Sequence, residues 1–278
     1  MISAATTGEA VASHYDELDP YYRSLWGQHV HHGLWESGDE SPQEAVVALS
    51  HLVAKRAGIR EGTRVCDVGC GYGATSRLLA SAYGAQVTGV TVSRKQYEGA
   101  MAHGGENPGF ILRDWMDNDF PAASFDAVIA IESTEHLPDV AFGIGEMARV
   151  LGPGGRLVIC AWMEGPETSP WEVRHLLEPI CREGCLVGMG NAQDYHRWIA
   201  EAGLVMESVE DLSRKVRKTW PICIRRTFTG FFTDPSLRHY LLGSFGRNRI
   251  FAITLIRIWV AYLTGAMRYV VFTAGKPE

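Results

Sequence analysis

Residues 65–73 read Val-Cys-Asp-Val-Gly-Cys-Gly-Tyr-Gly, an apolar run that enters a glycine turn with Asp67 at its mouth. Glycine lets the backbone turn sharply and approach a ligand with no Cβ in the way. A helix expected from about Ala74 points its free N–H groups at the same place. Gly69, Gly71 and Ala74 also satisfy G-x-G-x-x-A, so the glycines alone leave NAD and S-adenosylmethionine both open. Asp67 separates them. A carboxylate there repels a pyrophosphate and favours the ammonium and sulfonium charges of S-adenosylmethionine. The plainer reading is a tight strand–helix turn with no ligand, but packing gives no reason to end a buried strand on Asp67.

Strand-like and helix-like patterns alternate after the turn. Helical spacing runs over 45–57, and strands are expected at 65–68, 86–92, 109–113, 124–131 and 156–162. Helices are expected at 74–83, 93–103 and 140–150. This pattern predicts an α/β fold with a parallel sheet and right-handed crossovers. In such sheets ligands sit beyond the carboxyl ends of the strands. Asp67, Thr91, Asp114 and Glu132 all fall at those ends. A sixth strand is expected near 205–212.

The order of these motifs resembles a class I S-adenosylmethionine-dependent methyltransferase. The carriers are the glycine turn, Gly89-Val90-Thr91-Val92-Ser93, Asp114-Trp115, the strand end at Glu132 and Leu151-Gly-Pro-Gly-Gly155. The resemblance implies a Rossmann-like sheet of seven strands, the last antiparallel. It implies S-adenosylmethionine as cofactor and S-adenosylhomocysteine as product. Cofactor contacts are then expected from Gly69, Gly71, Gly73, Asp67, Asp114 at the adenine amino group, and Trp115 flanking the ring. Thr91 stands where such enzymes usually carry an acidic ribose ligand. This departure is similar to the cyclopropane fatty-acid synthase and tocopherol methyltransferase branch, where Thr and a following Gln, here Gln96, take the ribose.

The flanks extend that resemblance over nearly the whole chain. His14-Tyr15-Asp16, the run Trp26 to Trp35, Ile131 to Asp139, Trp220-Pro221 and the closing 267–277 are similar to the γ-tocopherol methyltransferases. By this analogy Tyr15 lies at the methionine end of the cofactor, and Glu132 also counts among its contacts. His29, His31, His32, Trp35, Trp162 and Trp220 are the expected substrate contacts. Proton removal calls for a group titrating near neutrality, and His136, just past the fourth strand, is the first candidate. Glu132 and Glu135 are the others. A lone histidine is equally well a structural hydrogen-bonding group. The lid histidines read as packing and polar contacts rather than metal ligands, and the spacing of His175, Cys181, Cys185 and His196 fits no zinc pattern.

The expected organisation is a lid over 1–45, a cofactor-binding core over 46–213, a substrate cap over 214–265 and a last strand over 266–278. The lid's aromatics also suit a plain amphipathic helix packed on the core. Net charge is −6, yet 214–278 holds twelve Lys/Arg against two Asp/Glu, leaving +10 there and −16 elsewhere. The acidic remainder and the lack of an RNA-binding module count against nucleic acid. Arg257 interrupts the apolar runs 250–256 and 258–266, so a buried cap helix is expected rather than a membrane span. A peripheral membrane contact is the less favoured reading of the basic segment; pairing with the chain's own acids is preferred. A homodimer stays open. Six cysteines without a C-x-x-C pair, and an N-terminus without a basic or apolar leader, fit the cytoplasm. The expected activity is methyl transfer to carbon, nitrogen or oxygen of a small, fairly apolar acceptor such as a prenylated aromatic or alkaloid of specialised metabolism. A cyclopropane-forming or lipid-modifying enzyme is the first alternative and an NAD-dependent oxidoreductase the second.

Overall fold

Strands that are apolar on both faces must be covered on both sides, and this requirement organises the chain. The structure is a computed structural model that describes residues 7–103, 105–242 and 247–278. Its strands are β1 (Arg64–Val68), β2 (Gln86–Thr91), β3 (Gly109–Leu112), β4 (Phe125–Ile131), β5 (Leu151–Glu164), β6 (Val205–Asp211) and β7 (Met267–Gly275). They form one sheet in the order β3-β2-β1-β4-β5-β7-β6. β1 to β5 pair in parallel, and β7 runs antiparallel to both β5 and β6.

Alternate residues of each central strand enter opposite cores. Val65, Ile129, Val158 and Tyr269 face one side, with Leu49, Val53 and Leu79 over them. Cys66, Val128, Ile159 and Phe272 face the other, under Ile144, Met147 and Tyr195. The helices that carry these covers are α2 (Pro42–Arg56), α3 (Ala74–Tyr83) and α5 (Val140–Val150), with a further helix at Ala192–Glu201, while α1 (Gly8–Trp26) and α4 (Arg94–Met101) pack on each other.

Two boundaries differ from the sequence pattern. α2 starts at Pro42 because Ser41 and Glu44 form a capping box: Ser41 Oγ accepts from Glu44 N at 3.2 Å, and Glu44 Oε2 accepts from Ser41 N at 2.8 Å. β5 begins at Leu151, before the Pro153-Gly154-Gly155 turn. Its pairing with β4 shifts register there, so the turn lies within an irregular strand.

Helices Thr219–Thr233, Pro235–Leu242 and Arg247–Thr264 intervene between β6 and β7. Trp220, Cys223, Ile258 and Tyr262 join them to the core on the α2–α3 side. Phe245 lies outside the described residues, as do the side chains of Tyr240, Arg247, Arg249 and Phe251. Among the described residues no helix is long and apolar enough to cross a membrane. β1 has β2 on one side and β4 on the other, so the strand order reverses there and a crevice opens past the strand ends.

Leu49 has no exposed surface, whereas Phe142 on α5 is 49% exposed. Leu49→Ala is expected to cost about 2–5 kcal/mol in denaturant unfolding, and Phe142→Ala less than about 0.5 kcal/mol.

Candidate active site

The glycine turn is built so that one wall of the crevice is bare backbone. Gly69 and Cys70 both donate their N–H groups to Val90 O, at 2.9 Å each. Gly69, Gly71 and Gly73 all have left-handed φ, at +79°, +56° and +73°. A Cβ at Gly69 would stand 2.3 Å from Ser133 Cβ, and one at Gly73 would stand 2.3 Å from Phe110 Cζ. A Cβ at Gly71 meets nothing within 4 Å, so it would enter the crevice itself. α3 starts with no side-chain cap, which leaves its first N–H groups for a ligand.

The crevice holds about 990 Å³ of empty space, its open mouth included. Asp67 is buried in its wall and accepts from Ser76 Oγ at 2.6 Å. Burial raises its carboxyl to about 6 despite that bond. Thr91 Oγ1 donates to Gln96 Oε1 at 2.8 Å, and both line the crevice. Asp114 caps its own turn by accepting from Met116 N at 2.9 Å. Trp115 is fixed edge-on by its Nε1 bond to Gly143 O at 3.0 Å. The first turn of α1 rests on Asp114 so closely that a Cβ at Gly8 would overlap Oδ2.

At the other end, Tyr15 from α1 meets His136 from the loop after β4. His136 Nδ1 lies 3.1 Å from Cys185 O, and a carbonyl only accepts, so Nδ1 carries the proton. Nε2 is then bare and accepts from the Tyr15 hydroxyl at 2.9 Å. Burial lowers the His136 pKa, so the imidazole is neutral at physiological pH. Burial raises the Tyr15 hydroxyl.

The histidines of the expected lid sort by the same logic. His31 Nδ1 donates to His32 O at 2.8 Å, which leaves Nε2 to accept from His29 Nδ1 at 3.1 Å. Burial, with His31 and Arg77 nearby, pushes His29 down to about 3, and burial also lowers His31. Trp220 Nε1, a donor only, gives its proton to His32 Nε2 at 2.8 Å. His32 Nδ1 must therefore donate to Glu132 Oε1, at 3.0 Å.

Glu132 collects three more donors: His32 N at 2.7 Å, the Tyr269 hydroxyl at 2.9 Å and Trp162 Nε1 at 2.9 Å. Burial favours the neutral acid, but His32 and its N–H overcome it and hold the carboxyl at about 2. The residue adopts φ +53°, an uncommon conformation for a side chain with a Cβ. Glu135 lies off the crevice wall, where its Oε1 accepts from Trp162 N at 2.5 Å and burial raises it to about 8.

Comparison with known proteins agrees with this geometry. The family model described as "Methyltransferase domain" matches residues 66–159. The 27-O-demethylrifamycin SV methyltransferase of Amycolatopsis mediterranei is 33% identical over 98% of both chains. The chloroplastic tocopherol O-methyltransferase of Arabidopsis thaliana is 30% identical over all of this chain and 86% of its own. Among solved structures, the [4+2]-cyclase SpnF is 27% identical with a TM-score of 0.82, covering 99% of this chain and 98% of its own.

The chain belongs to the class I S-adenosylmethionine-dependent methyltransferases. The bare wall at Gly71, the uncapped start of α3 and the anionic Asp67 together fit an aminoacyl sulfonium cofactor. In this methyltransferase, Tyr15, His29, His31, Asp67, Gly69, Gly71, Thr91, Gln96, Asp114, Trp115, Glu132 and His136 share the crevice. Gly73 lies off the wall and packs on Phe110. His32, Trp35, Trp162 and Trp220 also lie off it. His32 packs against Trp162, Trp220, Tyr262 and Tyr269 with ring centroids 4.9–5.6 Å apart. Trp35 is buried and donates to Glu40 O. Sequence reasoning missed Ser76, Tyr269 and the Cys185 carbonyl. Ser76 carried a signal, since the third residue of a helix can reach back to the strand before it.

Asp67 is neutral below about 6 and charged above it. A bound cation favours the charged form, so affinity for S-adenosylmethionine rises with pH through that window. In calorimetry, Asp67→Asn is expected to flatten this dependence and weaken binding by about 1–3 kcal/mol. Gly71→Val should abolish binding.

Proposed function

We propose that this methyltransferase acts on a hydroxyl oxygen of a small, fairly apolar acceptor, with His136 as general base. S-adenosylmethionine, when bound, supplies an electrophilic methyl group. Asp67, Gly71 and the start of α3 would hold its methionine part, Thr91 and Gln96 the ribose, and Asp114 with Trp115 the adenine. The protein's remaining tasks are to orient the acceptor oxygen, exclude water and take up one proton.

The observation that carries this reading is the Tyr15–His136–Cys185 chain. The Cys185 carbonyl fixes the tautomer, so the bare Nε2 faces the crevice. An acceptor hydroxyl that replaces Tyr15 OH as donor to Nε2 can pass its proton there as the oxygen gains the methyl group. Glu132 is already bound by four donors and Glu135 is off the wall, which leaves His136 as the best placed of the three candidate bases. Val11, Val30, Val68, Ile131, Leu137 and Pro138 line the crevice and suit an apolar acceptor. The relatives named as O-methyltransferases support oxygen as the methylated atom.

The test is mass spectrometry of host extract incubated with enzyme and methyl-labelled S-adenosylmethionine. The expected product carries one labelled methyl on oxygen. His136→Ala should lower turnover by about 10²–10⁴-fold while affinity for S-adenosylhomocysteine is retained. Because burial lowers the His136 pKa, the wild-type rate should stay flat near neutrality and fall with acid only below 6.5, rather than between pH 6 and 8 as an exposed histidine would. A SpnF-like outcome, with an acceptor rearranged and unlabelled, would contradict the proposal.

A further inference from the structure

The cap turns a basic and apolar face away from the sheet. Helix Thr219–Thr233 buries Trp220, Cys223 and Thr227. Its other side exposes Arg225, Phe228 and Phe232, which share one face at i, i+3 and i+7. The phenylalanines are 67% and 62% exposed, and their rings pack edge-on against each other, 5.3 Å apart. On Arg247–Thr264, Leu255, Ile258, Ala261 and Tyr262 are buried, while Ile253, Ile256, Trp259 and Leu263 are exposed. On Pro235–Leu242, Leu237 and Leu241 are buried, while Arg238 and Leu242 are exposed. These three helices pack on one another, and each buries one side in the core. Each therefore turns its other side away from the buried residues.

The charge on this segment is only partly answered. Lys215 pairs with Glu36, Arg257 with Glu183 and Arg268 with Asp211, at 2.8, 2.7 and 3.4 Å. Asp234, one of two acids in 214–278, spends its Oδ1 on the N–H groups of Ser236 and Leu237. Among the described residues, Arg225 and Arg238 have no acidic side chain within ion-pair distance. They are held beside exposed phenylalanine and leucine instead. The expectation that the chain's own acids absorb its basic segment holds for Lys215, Arg257 and Arg268 but not for this face.

We propose that the outer face of the cap docks on an anionic lipid surface. Phe228, Phe232, Ile256 and Trp259 enter the headgroup boundary, and Arg225 and Arg238 meet lipid phosphates. Apolar side chains interleaved with arginine on helices that lie along one surface match an interfacial site, not a membrane span. Large apolar side chains exposed on helices that pack on one another call for a partner. A second copy of the chain fits it less well, since a two-fold contact would set Arg225 and Arg238 of one copy against those of the other. This docking does not depend on which atom is methylated.

The test is cosedimentation of the full chain with vesicles of phosphatidylglycerol mixed with phosphatidylcholine, and with pure phosphatidylcholine, at low and physiological salt. Binding is expected to the mixed vesicles, weakened by salt, and not to the neutral ones. The double variants Phe228→Ser/Phe232→Ser and Arg225→Glu/Arg238→Glu should each lower partitioning by about tenfold. Both should bind S-adenosylhomocysteine normally, which shows that they fold. No binding to mixed vesicles, equal binding to neutral ones, or binding indifferent to both double variants would overturn the proposal. So would a dimer in sedimentation velocity that the Phe228→Ser/Phe232→Ser variant dissolves, since it would assign the face to a second copy.

Discussion

One carboxylate joins parts of the chain that are far apart in sequence. Glu132, at the end of β4, takes donors from the lid at His32, from β5 at Trp162 and from β7 at Tyr269. A buried charge is costly unless its lone pairs are filled, and here four N–H and O–H groups fill them. The gain is positional. The lid backbone around residue 32 cannot lift from the sheet without leaving a charge unsatisfied. His32 in turn is fixed by Trp220 on the cap, so lid, sheet and cap meet at one imidazole. The left-handed backbone at Glu132 aims its carboxylate at that meeting point.

From this anchor the site has two ends with different chemistry. Toward β1, backbone N–H groups and the Asp67 carboxylate are the groups proposed to receive the zwitterionic, cationic cofactor. Toward the loop after β4, Tyr15 and His136 form a neutral pair beside Leu137 and Pro138, where the proposed hydroxyl acceptor would sit. The short chain His29–His31–His32 runs beside the sheet, with the bare nitrogen of His31 taken by His29 and that of His32 by Trp220. Among the described residues no group of three His, Cys, Asp or Glu is arranged to hold a metal.

The cofactor end was legible in the sequence because its chemistry is local. A glycine turn after an apolar strand, an acid at its mouth and polar residues at successive strand ends can be read by position alone, and the parallel topology brings those ends together. The acceptor end was less legible because it depends on which way long side chains turn. Trp35, Trp162 and Trp220 sit at plausible positions, yet Trp35 and Trp220 are buried, Trp162 is partly buried, and each lies off the crevice wall with its N–H on an acceptor. Glu132 and Glu135 lie three residues apart just after β4, and only geometry separates an ionised anchor from a raised, buried acid. The role of Tyr269 had no local signal, since it comes from the antiparallel pairing of β7 with β5.

The anchor can be tested with Glu132→Gln, which keeps size and removes the charge. A carboxamide must present an N–H₂ group to at least one of the four donors, so the bonds to lid and sheet cannot all survive. Hydrogen–deuterium exchange of the backbone amides, followed by mass spectrometry, is the direct measurement. Faster exchange over residues 28–35, with 65–75 still protected and affinity for S-adenosylhomocysteine reduced by about tenfold, is the expected result. Unchanged exchange over 28–35 together with unchanged affinity would contradict a lid pinned to the sheet through Glu132.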